Sequence, residues 1–142
     1  VFYVYFPLKK SKACQPEKFV QPAKLNGRIL VLDDEKILNE LLKDILMRLG
    51  CDVVSCNAPE EALVLYDRSF DLVMLDVVMP KISGVEVYQK LLLKNPKLKA
   101  IFMSGYTQDR EVNKIVEENR NTAFVKKPYS IQELHDKLAK ML

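Results

Sequence analysis

The chain has 142 residues, 49% of them hydrophobic and 29% charged, with a formal charge of +3, which suits one domain with a hydrophobic core but hardly two. No apolar run approaches the roughly 20 residues of a membrane-spanning helix, and the opening apolar stretch is too short and lacks the basic flank of a secretion signal. The positive excess sits in residues 1–26, where Lys9, Lys10, Lys12, Lys18 and Lys24 face one acid, Glu17, so the remaining 116 residues carry a net −1; no nucleic-acid footprint is expected on the folded body.

In chain order, residues 9–27 are rich in Lys, Pro, Gln and Ser and read as linker, making 1–26 a tail and 27–142 the folded domain. A first buried strand is predicted over Arg28–Leu32. The helix that follows places Ile37, Leu38, Leu41, Leu42, Ile45, Leu46 and Leu49 at spacings of three and four, an apolar stripe closed by Gly50. A second strand over Asp52–Cys56 leads to a helix opened by Pro59, Glu60 and Glu61, with Ala62, Leu63 and Tyr66 facing inward. A third strand over 71–75 precedes a helix carrying Val85, Tyr88, Leu91 and Leu92, stopped by Asn95 and Pro96. A fourth strand over 99–103 is followed by a polar helix, about 109–119, whose apolar contacts are Val112, Ile115 and Val116. The fifth strand, 122–125, gives way to a helix whose Ser130 and Glu133 have capping-box spacing and whose apolar side is Ile131, Leu134, Leu138 and Met141. Cys14, Cys51 and Cys56 lack paired CxxC spacing, and Cys51 and Cys56 read as small core residues in a reduced, cytoplasmic setting. The lone histidine, His135, reads as a solvated surface residue, so a His-rich metal site is excluded.

Five strands alternating with five helices predict an α/β doubly wound, five-stranded parallel sheet covered on both faces. In such folds ligands bind at the carboxyl ends of the strands, and the chemically loaded residues fall there. Strand one ends in Asp33, Asp34 and Glu35, strand three in Asp76, strand four in Ser104 and Gly105, strand five in Lys126, Lys127 and Pro128. Strand two, ending in Ser55, Cys56 and Asn57, offers nothing comparable. Three carboxylates at one rim repel unless a cation sits among them, and oxygen-only ligands suit Mg²⁺. Singly, each residue has an ordinary use: Asp33 and Asp34 could cap the first helix, Asp76 could be a turn residue, and Lys126 and Lys127 could be solvated lysines. Their joint occurrence at one rim favours a site.

The segments ILVLDDE at 29–35, DLVMLDVVMP at 71–80 with Ser83 and Gly84, FMSGY at 102–106 and FVKKP at 124–128 resemble, in order, spacing and strand position, the motifs of response-regulator receiver domains over roughly residues 27–142. The resemblance implies the flavodoxin-like (βα)5 fold with strand order 2-1-3-4-5. It makes Asp76 the phosphoacceptor, taking a phosphoryl group from a phosphohistidine of a histidine kinase or histidine phosphotransfer domain. Asp34, Asp76 and the backbone carbonyl of Val78 would bind Mg²⁺ (or Mn²⁺) directly, with Asp33 acting through water. Lys127 would pair with the phosphoryl oxygens, Ser104 would bond the phosphoryl group, Phe124 would follow Ser104 as a switch aromatic, and Pro128 would follow a cis peptide. A homodimer through the helix 4–strand 5–helix 5 face is a further implication.

Two neighbours set the expected rate. Val78 lies two residues past Asp76 and Tyr106 two past Ser104, and neither offers an amide or acid to orient water; slow self-dephosphorylation is expected. FYVYFP at 2–7 is similar to the closing strand of a histidine-kinase ATP-binding domain, so the expected parent is a hybrid sensor histidine kinase, itself open to membrane anchoring, with residues 1–8 ending its kinase portion and no DNA-binding output domain after residue 142. The alternative is a stand-alone regulator acting by docking. An aspartate-nucleophile phosphatase would need a second Asp where Val78 stands, and a nucleotide binder would need a Gly-rich loop after strand one; both are disfavoured.

Overall fold

The computed structural model describes residues 22–106 and 109–142; Cys14 and the 2–7 segment lie outside them. The elements run β1 (Arg28–Leu32), α1 (Lys36–Arg48), β2 (Asp52–Cys56), α2 (Pro59–Leu65), β3 (Leu72–Asp76), α3 (Gly84–Lys94), β4 (Ala100–Ser104), α4 (Arg110–Glu118), β5 (Thr122–Lys126) and α5 (Ile131–Met141). All strand pairs are parallel, in the order β2-β1-β3-β4-β5. The predicted fold class and strand order are both observed. Lys127 and Pro128 are joined by a cis peptide, as the motif implied.

Because successive side chains of a strand point to opposite faces, the same short runs build two cores. Leu30, Leu32, Val73, Leu75, Ala100 and Phe102 join Tyr66, Tyr88, Leu91 and Val112 under α2, α3 and α4. Ile29, Val31, Leu72, Met74, Ile101 and Met103 join Leu42, Leu46, Leu134 and Leu138 under α1 and α5. The Tyr88 ring stands edge-on to Phe102 at 5.2 Å, and its hydroxyl accepts from the Asn119 side chain at 2.9 Å. Cys51 and Cys56 are buried free thiols, as expected of core residues.

Caps form where the sequence places them. Ser83 with Glu86 and Ser130 with Glu133 close capping boxes on α3 and α5, and Asp109 accepts from Glu111 and Val112 at the start of α4. Gly50 follows α1 with φ +103, a region side-chain-bearing residues rarely enter. At Gly84 the constraint is space: a Cβ there would lie 2.2 Å from the carbonyl oxygen of Asp76, so only glycine lets α3 start this close to the end of β3.

Three local readings are corrected. β3, β4 and β5 each extend one residue further than expected, which draws Asp76, Ser104 and Lys126 into the ladder. On α1 the apolar stripe is wider than the face it buries. Leu42, Leu46 and Asn39 are buried, while Ile37, Leu38 and Leu41 are exposed, because a stripe that combines three- and four-residue spacings spans more of the helix circumference than the sheet covers. His135 is buried rather than solvated. Its Nε2 donates to the Ala23 carbonyl at 2.8 Å, since the chain just before β1 lies across α1 and α5, with Leu25 donating to Leu49 at 2.7 Å and packing on the second core.

Candidate functional site

Parallel pairing brings the ends of β1, β3, β4 and β5 to one rim, and three carboxylates meet there. Asp33, Asp34 and Asp76 each offer an oxygen within 4.8 Å of the others. Asp33 and Asp76 are buried, and Asp34 is the most accessible of the three. Lys127, reaching over from the turn after β5, places its Nζ 2.7 Å from Asp33 Oδ2 and 3.4 Å from Asp76 Oδ1. One ammonium thus faces three acids, and the local charge is negative.

The two buried acids are held very differently. Asp33 accepts from the Glu35 amide at 2.9 Å and takes the shorter bond to Lys127. Asp76 has the longer contact with Lys127 and accepts from the Val78 amide, and burial outweighs both, pushing its carboxyl up to about 6, with the nearby charge of Asp33 adding to the rise. For Lys127 burial works against the ammonium, but the bond to Asp33 and the charges of Asp33 and Asp76 prevail and raise it. Burial is also the first cause holding the Tyr129 hydroxyl above its ordinary range.

Ser104 is buried at the end of β4. Its Oγ accepts from the Tyr106 amide at 3.1 Å, and its carbonyl accepts from the Lys127 amide at 2.8 Å, which fixes the β5 turn against β4. Phe124, on β5, is half-buried against the first core. The Val78 side chain is 57% exposed and that of Tyr106 74% exposed, so both border the site from the solvent side. Lys126 is exposed.

The helix-capping use of the acids is not realised: α1 has no side-chain cap, and Asp33 instead turns back to the Glu35 amide. Strand two contributes more than expected. The Asn57 side chain donates to the Asp33 carbonyl at 2.8 Å, and Asn39 of α1 donates to the carbonyls of Cys56 at 2.7 Å and Asp33 at 3.2 Å. These two amides hold the turn that aims Asp33 and Asp34. Asn39 was legible in principle: it stands three residues before Leu42 and seven before Leu46, the only polar residue on that buried line.

The donor set fits a hard divalent cation. It offers oxygen ligands only, more carboxylates than one ammonium can neutralise, and one of them accessible; the same oxygens accept Mn²⁺.

Comparison with known proteins identifies the family and the fold. The family model for the response regulator receiver domain matches residues 29–139. The chain is 31% identical over 115 residues to the uncharacterised transcriptional regulatory protein YrkP of Bacillus subtilis, covering 81% of this chain and 49% of that protein. It is 33% identical over 98 residues to the hybrid signal transduction histidine kinase L of Dictyostelium discoideum, covering 66% of this chain and 6% of that protein. The crystal structure of the response regulator TrrA from Thermotoga maritima, in complex with Mg²⁺ and BeF, superposes with a TM-score of 0.71 at 35% identity, covering 82% of this chain and 99% of that one. The chain spans about half the length, or less, of the curated relatives it matches.

Proposed function

The chain belongs to the response regulator receiver domain family, and we propose that it serves two-component signalling by accepting a phosphoryl group on Asp76 from a phosphohistidine of a histidine kinase or phosphotransfer partner. The observation that carries this reading is the asymmetry of the two buried acids. Each is buried and accepts from one backbone amide, but Asp33 takes the 2.7 Å bond to Lys127 while Asp76 keeps the looser contact at 3.4 Å. A carboxylate kept from tight pairing in a desolvated site keeps its lone pairs for attack.

In the step proposed, an Asp76 Oδ forms the bond to phosphorus as the bond from phosphorus to the donor's imidazole nitrogen breaks, and the imidazole leaves with the electron pair. Lys127, already 3.4 Å from Asp76, is placed to pair with the incoming phosphoryl oxygens as a mobile point charge. Asp34, Asp76 and the Val78 carbonyl would hold Mg²⁺, with Asp33 acting through water; when bound, the metal supplies charge neutralisation for the transferring group. Ser104 exchanges its bond to the Tyr106 amide for one to the phosphoryl group, and half-buried Phe124 follows it inward. Neither Val78 nor Tyr106 offers an amide or acid to orient an attacking water, so the phosphorylated state is expected to be long-lived.

Incubation with Mg²⁺ and phosphoramidate, read by mass spectrometry, tests the reading: a gain of one phosphoryl group is expected, absent in Asp76→Asn. No gain, or a gain that survives Asp76→Asn, overturns it. Two parent proteins fit. The FYVYFP segment supports a hybrid sensor histidine kinase, while the transcriptional regulatory relatives support a separate regulator acting by docking; an ATP-binding domain encoded before Val1 selects the first. A cytoplasmic setting belongs to either parent, and no helix among the described residues is long and apolar enough to cross a membrane. For self-association, the proposed face is α4–β5–α5.

A further inference from the structure

The cleft at Asp76 is larger than a phosphoryl group needs, and its far end is built of the wrong material for one. A cavity of about 540 Å³ opens from Asp76 and Lys127 and runs between Leu38, Leu41 and Ile45 of α1 on one side and Tyr106, Pro128 and Tyr129 on the other. That volume is within the range of small-molecule sites, roughly 300–1,000 Å³. One end holds Asp76 and Lys127, Glu35 adds a second carboxylate, and the rest of the lining is apolar or aromatic. Part of this wall is not needed by the core: Ile45 and Tyr129 pack against the second core, but Leu41 is 55% and Tyr106 74% exposed. The cavity also reaches inward to Leu42, which is 1% exposed, a depth that suits an inserted ring better than the side of a helix laid across its mouth.

We propose that this cleft takes small phosphodonors whose leaving group is flat and apolar, an aromatic acyl phosphate such as benzoyl phosphate, in preference to acetyl phosphate. The inference rests on the phosphoacceptor reading of Asp76 and names the substrate class of that same site. The phosphoryl end lies at Asp76 and Lys127, and the ring lies between Leu41 and Tyr106. An Asp76 Oδ forms the bond to phosphorus, the bond from phosphorus to the carboxylate oxygen breaks, and benzoate leaves with the electron pair; one carboxylate replaces another, so no proton is transferred.

The test measures initial rates of Asp76 labelling by benzoyl phosphate and acetyl phosphate at matched concentration and ionic strength with Mg²⁺, in the wild type and in Leu41→Ser, an exposed position whose change leaves the core intact. Partial burial of the ring predicts a benzoyl-to-acetyl ratio roughly fivefold to tenfold higher in the wild type than in Leu41→Ser, and comparing ratios cancels the donors' intrinsic reactivities. A readout without turnover is the NMR shift of the Leu41, Tyr106 and Tyr129 amides on adding benzylphosphonate, expected at concentrations where methylphosphonate leaves them unmoved. Equal ratios in the two proteins, or equal shifts with the two phosphonates, overturn the proposal while leaving the phosphoacceptor reading intact, and mark the wall as one for a protein partner. Failure of both donors to label Asp76 defeats the phosphoacceptor reading and this inference with it.

Discussion

At the carboxyl ends of the strands, three carboxylates crowd within 4.8 Å around one ammonium. At the opposite rim charges are matched rather than crowded: Arg28 pairs with Asp52 at 3.3 Å, the Arg28 amide donates to the Asp71 carboxylate, Lys99 donates to the Met141 carbonyl, Leu25 donates to Leu49, and His135 donates to Ala23. The second rim sets each charge against an opposite charge or a backbone dipole, whereas the first keeps like charges together at a cost in folding free energy. Such local conflict with stability is what a site for a cation and a transferring phosphoryl group requires, because the ligands resolve a repulsion that the chain leaves in place.

The contrast can be broken in stages. Lys127→Met removes the cation paired with Asp33 and Asp76, and the rate of Asp76 labelling by phosphoramidate at saturating Mg²⁺ is expected to fall roughly hundredfold or more; an unchanged rate removes Lys127 from the proposed step.

Asp76→Asn addresses stability rather than chemistry. The native carboxyl, pushed up to about 6 from an ordinary 3.8, binds its proton more tightly than the unfolded chain does. Metal-free stability therefore falls as pH rises between those values, and at neutral pH the full cost, about 3 kcal/mol, is in place. The metal-free variant should accordingly be more stable than the parent at neutral pH by about 1–3 kcal/mol, with the gain vanishing below about pH 4. Urea unfolding at several pH values checks it, and a gain independent of pH would point to packing rather than charge.

Asn39→Ala cuts two buried bonds to the turn carrying Asp33 and should cost about 2 kcal/mol, with weaker Mg²⁺ binding as the second readout, since the acids lose their support. The smallest effect belongs to the quiet rim. His135→Ala should cost about 1 kcal/mol and leave labelling of Asp76 unchanged; a labelling defect there would erase the distinction between the rims.

Much of this was legible without coordinates. The β-branched runs, the stripe on α1, the capping box at Ser130 and the position of Asp33, Asp34, Asp76, Ser104 and Lys127 at strand ends are all local patterns, and local patterns survive in one dimension. The misreadings, and the omission of Asn39, share a cause. His135 and Asn39 were polar residues whose partners, Ala23 and the carbonyls of Asp33 and Cys56, lie on other elements. Ile37, Leu38 and Leu41 were apolar residues in phase with a helix but out of line with the sheet beneath it.

By itself the sequence determined the alternation of elements, the doubly wound sheet and the set of side chains that reach one rim, because strand alternation and helix period are properties of neighbouring residues. Only the tertiary structure decided how Lys127 divides itself between Asp33 and Asp76, 94 residues from the first of them. Only it showed that Asn39 and Asn57 hold the acidic turn, and that the flank of α1 forms the wall of a cleft. Those outcomes depend on the register of parallel strands and on the burial that register imposes. Both acids are buried, and Lys127 is what separates them: Asp33 takes its short bond, and Asp76 keeps the looser contact at the strand end with its carboxyl at about 6.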